Sequence, residues 1–170
     1  MDTTNGSEGV VVTVLPIPRD AIEHPSEAAR EEFEKNVARF AALCVKEGRL
    51  RKITLTISGY EDDPRELYEI PEVCDWARTT LELLPSLPFF LDGNSQYAFV
   101  GWLCGPVSRK ESKTRQFANR FQETRKNCVS DAIAASSEFL ERAGASKKMI
   151  SAFYMMGVRE LAEGPARGKK

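Results

Sequence analysis

The stretch Leu87–Cys104, LPFFLDGNSQYAFVGWLC, decides how the fold is read. Two apolar runs, Leu87–Leu91 and Tyr97–Cys104, flank the polar segment DGNSQ. A Gly-Asn connection between apolar runs is a hairpin signal, so the runs read as two strands joined by a turn. Gly101 inside the second run marks a bulge or a close backbone approach. At eight residues the second run falls well short of the ~18 apolar residues of a membrane span, and suits a buried strand.

Working outward toward the N-terminus, Pro71 opens a helix with Val73, Trp76, Ala77, Leu81 and Leu84 on one face, and Pro85 and Pro88 end it. Before it, Lys52–Gly59 (KITLTISG) alternates Ile53, Leu55 and Ile57 with polar residues, the period of a strand with one buried face. From Pro25 to Glu47 the apolar positions Phe33, Val37, Phe40, Ala41 and Cys44 form one face of a helix, and Gly48 suits its C-terminal end. Val10–Ile17 (VVVTVLPI) is β-branched on both faces and reads as a first strand, buried on both sides.

Toward the C-terminus the character changes after Pro106, and residues 107–164 contain no proline. Ser108 and Glu111 have the spacing of a capping box, followed by a helical face of Phe117, Phe121, Cys128, Ala132, Ala135 and Phe139. Gly144 breaks this helix, Ser146 can cap another, and Met149, Ile150, Phe153, Gly157 and Leu161 define the last one. Met155 and Met156 point in different directions on that helix, so something besides one core face covers it.

The element order is therefore β-α-β-α-β-β-α-α. It implies an α/β domain (α+β is the alternative) with a small mixed four-stranded sheet and a C-terminal antiparallel helix pair. Residues 10–163 form the single domain, 1–9 (MDTTNGSEG) a disordered start and 164–170 a basic flexible tail. The start has neither the basic nor the apolar part of a secretory signal.

The 170 residues carry 24 Lys+Arg against 25 Asp+Glu, and 42% are hydrophobic. Such a composition excludes a wholly disordered chain and an overall basic nucleic-acid coat. Cys44, Cys74, Cys104 and Cys128 form no CxxC pair, and there is one histidine, so neither a zinc site nor a disulfide framework is indicated. Four buried thiols in a reducing cytoplasm is the plainer reading. His24 beside Pro25 reads as a surface cap rather than the base for a Cys104 nucleophile. No GxGxxG or GxxxxGK[ST] occurs, and no cofactor is expected.

Charge is nevertheless segregated. Residues 61–75 hold seven carboxylates (Glu61, Asp62, Asp63, Glu66, Glu69, Glu72, Asp75) and one base, Arg65, for a local −6. Residues 109–126 hold seven bases (Arg109, Lys110, Lys113, Arg115, Arg120, Arg125, Lys126) and two acids, Glu111 and Glu123, for +5. The expected role is a non-catalytic cytoplasmic protein-interaction domain that binds a protein partner, or a second copy of itself in a homo-oligomer, through the acidic turn at residues 61–72. Its contact residues are Glu61, Asp62, Asp63, Arg65 and Tyr68. Two alternatives stand beside it. One is a metal-assisted hydrolase using Asp62, Asp63 and Asp92. The other is weak nucleic-acid binding through Arg109, Lys113, Arg120 and Lys126. The two charged segments can also pair with each other, and no membrane association is expected.

Overall fold

The computed structural model describes residues 2–5 and 10–163. The expected basic tail at 164–170, and residues 1 and 6–9 of the expected disordered start, lie outside the described residues. Asp2–Asn5 (β1) is a strand antiparallel to Val10–Pro18 (β2), where composition suggested a disordered terminus. Strand β2 runs parallel to Lys52–Ser58 (β3), in a register that sets Val14 opposite Thr54 and Ile17 opposite Ile57. The sheet order is β1-β2-β3.

Two helices make the crossover from β2 to β3. Arg19–Glu23 (α1) is one turn, and Glu27–Glu47 (α2) is capped by Ser26, whose hydroxyl accepts from the Ala29 N–H at 3.1 Å. Gly48 ends α2 at φ 74°, a left-handed conformation that a side chain would strain. Val37, Phe40, Ala41 and Cys44 are fully or nearly buried, as the helical period requires. After β3, a 3-10 turn at Leu67–Glu69 leads into Pro71–Leu83 (α3).

The next segment overturns the expected sheet. Leu87–Phe90 (α4) and Gly93–Cys104 (α5) are helices, not a hairpin, so the four-stranded mixed sheet does not exist and the fold is mostly helical. Pro88 sits in the first turn of α4, where its missing N–H costs nothing. Asp92, read as the first residue of the hairpin loop, is an N-cap: its carboxylate accepts from the Ser95 N–H at 2.8 Å. An unbroken apolar run suits a buried helix as well as a buried strand, and Phe99, Val100 and Trp102 are all buried in α5. Among the described residues, the one ladder contact of this segment with the sheet is a parallel bridge between Leu91 and Ile53; side-chain hydrogen bonds from Thr54 to Asp92 and from the Leu55 N–H to Ser95 tie it further to β3.

Arg115–Arg142 (α6) and Lys147–Glu163 (α7) complete the chain. Thr114, rather than Ser108, caps α6 by accepting from the Phe117 N–H at 3.0 Å, while the Ser108 hydroxyl accepts from the Glu111 N–H at 3.0 Å ahead of α6, where a 3-10 turn spans Glu111–Lys113. Gly144 at φ 100° turns α7 back onto α6. Phe153 and Gly157 face inward, and the Phe89 ring lies directly beneath Gly157. The core joins all layers: Ile53 from the sheet, Phe40 from α2, Phe89 and Phe90 from α4, Phe99 from α5 and Leu140 from α6.

Candidate functional site

Beside the sheet, β2, α1, the start of α2 and α3 line an open groove of about 480 Å³. Its floor is apolar: Leu15 and Ile17 of β2, Ile22 of α1, Phe33 of α2, Trp76 of α3 and Leu84 just after it. Phe33 and Trp76 meet edge to face with ring centroids 5.6 Å apart. Leu83, 48% exposed, stands at one end, where the groove shares Glu34, Leu83 and Leu84 with a second cavity of about 450 Å³ along α6.

The rim is acidic. Glu23, Glu32, Glu34, Glu72 and Asp75 line it against a single base, Arg30. Arg19 holds Glu23 at 2.9 Å and Arg78 holds Asp75 at 3.1 Å. Glu32, Glu34 and Glu72 make no ion pair among the described residues; Glu32 and Glu72 are exposed and Glu34 is half-buried. At the Glu23 corner Tyr60 is buried, with its hydroxyl 3.4 Å from the Glu23 carboxylate and the Arg19 guanidinium 4.5 Å from its ring. Burial first, and then the Glu23 charge, push the Tyr60 hydroxyl up to about 12.

Two residues of this rim, Glu72 and Asp75, belong to the acidic segment singled out in the sequence; the turn itself is largely occupied with its own chain. Glu61 accepts from the Gly59 N–H at 2.9 Å. Asp63 grips Arg65 with both oxygens, at 3.0 and 2.8 Å, which holds its carboxyl down at about 2. Tyr68 is half-buried, and its carbonyl accepts from the Val107 N–H at 3.1 Å. Asp62 is the exposed remainder.

The residues considered as metal ligands are not drawn together. Asp92 serves as the cap of α5, and its second oxygen accepts from the Thr54 hydroxyl at 2.6 Å. Asp63 is committed to Arg65, and no group of three potential ligands occurs among the described residues.

The basic segment is likewise partly consumed. Arg109 reaches back to the acidic turn, with Nε 3.5 Å from Glu69 and Nη2 4.0 Å from Glu66, and donates to the Pro64 carbonyl. Arg120 lies 3.4 Å from Glu111, and Arg125 is buried, donating to Gln96 at 3.2 Å. Lys113 and Lys126 remain exposed. His24 is exposed at the end of α1, and Cys104 is half-buried at the end of α5. Among the described residues no helix is long and apolar enough to cross a membrane.

Sequence reasoning missed the groove because its walls come from two stretches, 15–36 and 72–84, that only the fold brings together. A signal was present: Glu32 and Glu34 flank Phe33, and Glu72 and Asp75 precede Trp76, so each aromatic is accompanied by carboxylates. Compared with known proteins, the chain matches no protein-family model, no curated protein and no solved structure.

Proposed function

We propose that this chain is a protein-interaction domain that receives a basic amphipathic helix of a protein partner in the groove between α2 and α3. One observation carries the reading: an apolar floor rimmed by five carboxylates and one base. Helices that dock in grooves do so through an apolar stripe, and flanking lysines or arginines answer an acidic rim. The acidic segment contributes to the rim through Glu72 and Asp75. The four unpaired cysteines support a cytoplasmic setting for this encounter.

The test uses a synthetic amphipathic peptide of lysine and leucine, titrated against the full chain while tryptophan emission is followed. Trp76 lines the groove and is half-buried, whereas Trp102 is buried in the core, so a bound helix alters the Trp76 signal. Saturable binding is expected, with at least a tenfold weakening in the Glu32→Lys/Glu72→Lys variant and none for a glutamate-leucine peptide. Equal binding of both peptides, or binding unmoved by the charge reversals, refutes the reading.

A further inference from the structure

We infer that the helix fitting this groove is α7 of a second copy, so that one molecule presents α7 and the next receives it. The inference rests on the groove reading above and names its partner. Among the described residues the exposed large apolar side chains are Leu83, Tyr97, Tyr154, Met155, Met156 and Val158. Four of the six fall within five consecutive positions of α7, and Leu83 lies in the groove itself.

Helical spacing organises the α7 residues. Ser151, Tyr154, Met155 and Val158 stand at i, i+3, i+4 and i+7, which places them in one stripe. The opposite side is already occupied, since Phe153 is 2% exposed and Gly157 is seated on the Phe89 ring. Lys147, Lys148 and Arg159 are exposed beside the stripe. Glu160, the one carboxylate between 147 and 160, is bound to Lys52 at 2.8 Å on the core side. Over residues 147–160 the outward face of α7 is thus apolar with bases only, the chemistry that an apolar groove with a carboxylate rim accepts. Methionines suit such a contact because their unbranched side chains adapt to the surface they meet.

The stripe fits the groove in length: residues 151–158 span about 12 Å at 1.5 Å per residue, about the same as the groove-lining residues 29–36 of α2 and within the roughly 18 Å of 72–83 in α3. Among the described residues none of α7 lines the groove of its own molecule, and the inner face of α7 is packed on α6 and Phe89. A second molecule is therefore needed to bring the two surfaces together. A contact between two different patches of identical chains is heterologous.

Sedimentation velocity of the full chain, from micromolar to millimolar concentration, tests this with two variants at exposed positions. Glu32→Lys/Glu72→Lys blocks the groove, and Met155→Glu/Arg159→Glu blocks α7; unchanged circular dichroism and melting establish that each folds. The wild-type chain is expected to associate as concentration rises, and each variant alone to sediment as a monomer. An equimolar mixture of the two variants is expected to form complexes of two chains and to stop there, because one competent groove and one competent α7 remain. A wild-type chain that stays monomeric overturns the inference. So does a groove-blocked variant that still associates alone, or a mixture that stays monomeric while the wild type associates. A monomeric wild type that floats with anionic phospholipid vesicles also overturns it and assigns α7 to a lipid surface. If the lysine-leucine peptide still binds the groove in any of these cases, the groove reading stands and only the choice of partner falls; if the peptide fails as well, both fall.

Discussion

Replacing Asp92 separates a structural carboxylate from a metal ligand. Its Oδ1 accepts from the Ser95 N–H at 2.8 Å, and its Oδ2 accepts from the Thr54 hydroxyl at 2.6 Å. Asp92→Ala leaves the start of α5 uncapped, which typically costs about 1 kcal/mol. It also removes the acceptor for Thr54; hydrogen bonds to charged groups contribute about 1.5–3 kcal/mol, and the lower end applies because half-buried Thr54 regains water. The sum is about 2.5 kcal/mol, a fall in Tm of roughly 5–10 °C for a chain this long. Asp92→Asn keeps the cap, since asparagine ranks with aspartate at this position, and its amide can donate to the Thr54 oxygen. Its cost is therefore under about 1 kcal/mol. Urea denaturation of both variants, with and without Mg²⁺, Mn²⁺ or Ca²⁺, measures the difference. If Asp92→Ala lies within about 0.5 kcal/mol of wild type, the hydrogen-bond argument is wrong, because that is the scatter of ordinary surface changes. If instead a divalent cation stabilises the wild type and Asp92→Asn abolishes the effect, Asp92 is a ligand after all.

Three further outcomes are expected. In Gly157→Ala the added Cβ would sit 2.5 Å from the Phe89 ring, so overpacking of about 1–3 kcal/mol outweighs the ~1 kcal/mol gain in helix propensity; a variant as stable as wild type by urea titration means that α7 does not seat there. Arg65 holds the Asp63 carboxyl at about 2, below its ordinary 3.8. The stabilisation from this pair is therefore complete above pH 4 and lost as pH falls through about 2. NMR titration of Arg65→Gln should show Asp63 moving back toward 3.8, and an unmoved Asp63 rejects the pairing. Burial pushes Cys128 to about 12 and Cys74 to about 11 and raises Cys44, whereas Cys104 is partly exposed. Iodoacetamide at pH 8 should modify Cys104 first, read by mass spectrometry, and equal labelling of Cys128 contradicts its burial.

The parts of this fold that the sequence disclosed are those in which local chemistry and tertiary setting agree. KITLTIS and VVVTVLPI are β-branched and pair as strands, and the helix ending at Gly48 stops where the backbone turns left-handed. The segment 87–104 resembles a hairpin because its apolar run carries no period, which leaves length and composition to arbitrate. Both favoured a helix. The twelve residues of Gly93–Cys104 contain one β-branched side chain, Val100, and Asp92 stands three residues before Ser95, ready to cap. Reading Gly-Asn as a turn gave weight to a dipeptide that occupies a first helical turn equally well. The candidate site was half legible for a different reason. Charge runs are visible along the chain, but a floor assembled from Leu15, Phe33 and Trp76 exists only after β2, α2 and α3 have packed.

The segregation of charge acquires a physical meaning in three dimensions. If acidic and basic segments existed mainly to pair with each other, their charges would cancel across one contact. Arg109 makes that contact alone, through Glu66, Glu69 and the Pro64 carbonyl. Arg125 is buried on Gln96 and Arg120 stays with Glu111 of its own segment, so most of the acidic segment is left without a base from the other. What it does adjoin is the groove, where Glu72 and Asp75 meet Glu23, Glu32 and Glu34 from a different part of the chain. Like charges converging on one rim repel one another, which disfavours the compact state. Three of these five make no ion pair among the described residues to relieve that repulsion. A cost of this kind is recovered when a cation docks between them, and the apolar floor supplies the burial that a mobile counter-ion cannot. On the proposed reading, an acid-rimmed apolar groove is in this sense an incomplete surface, and a helix that carries both kinds of group completes it.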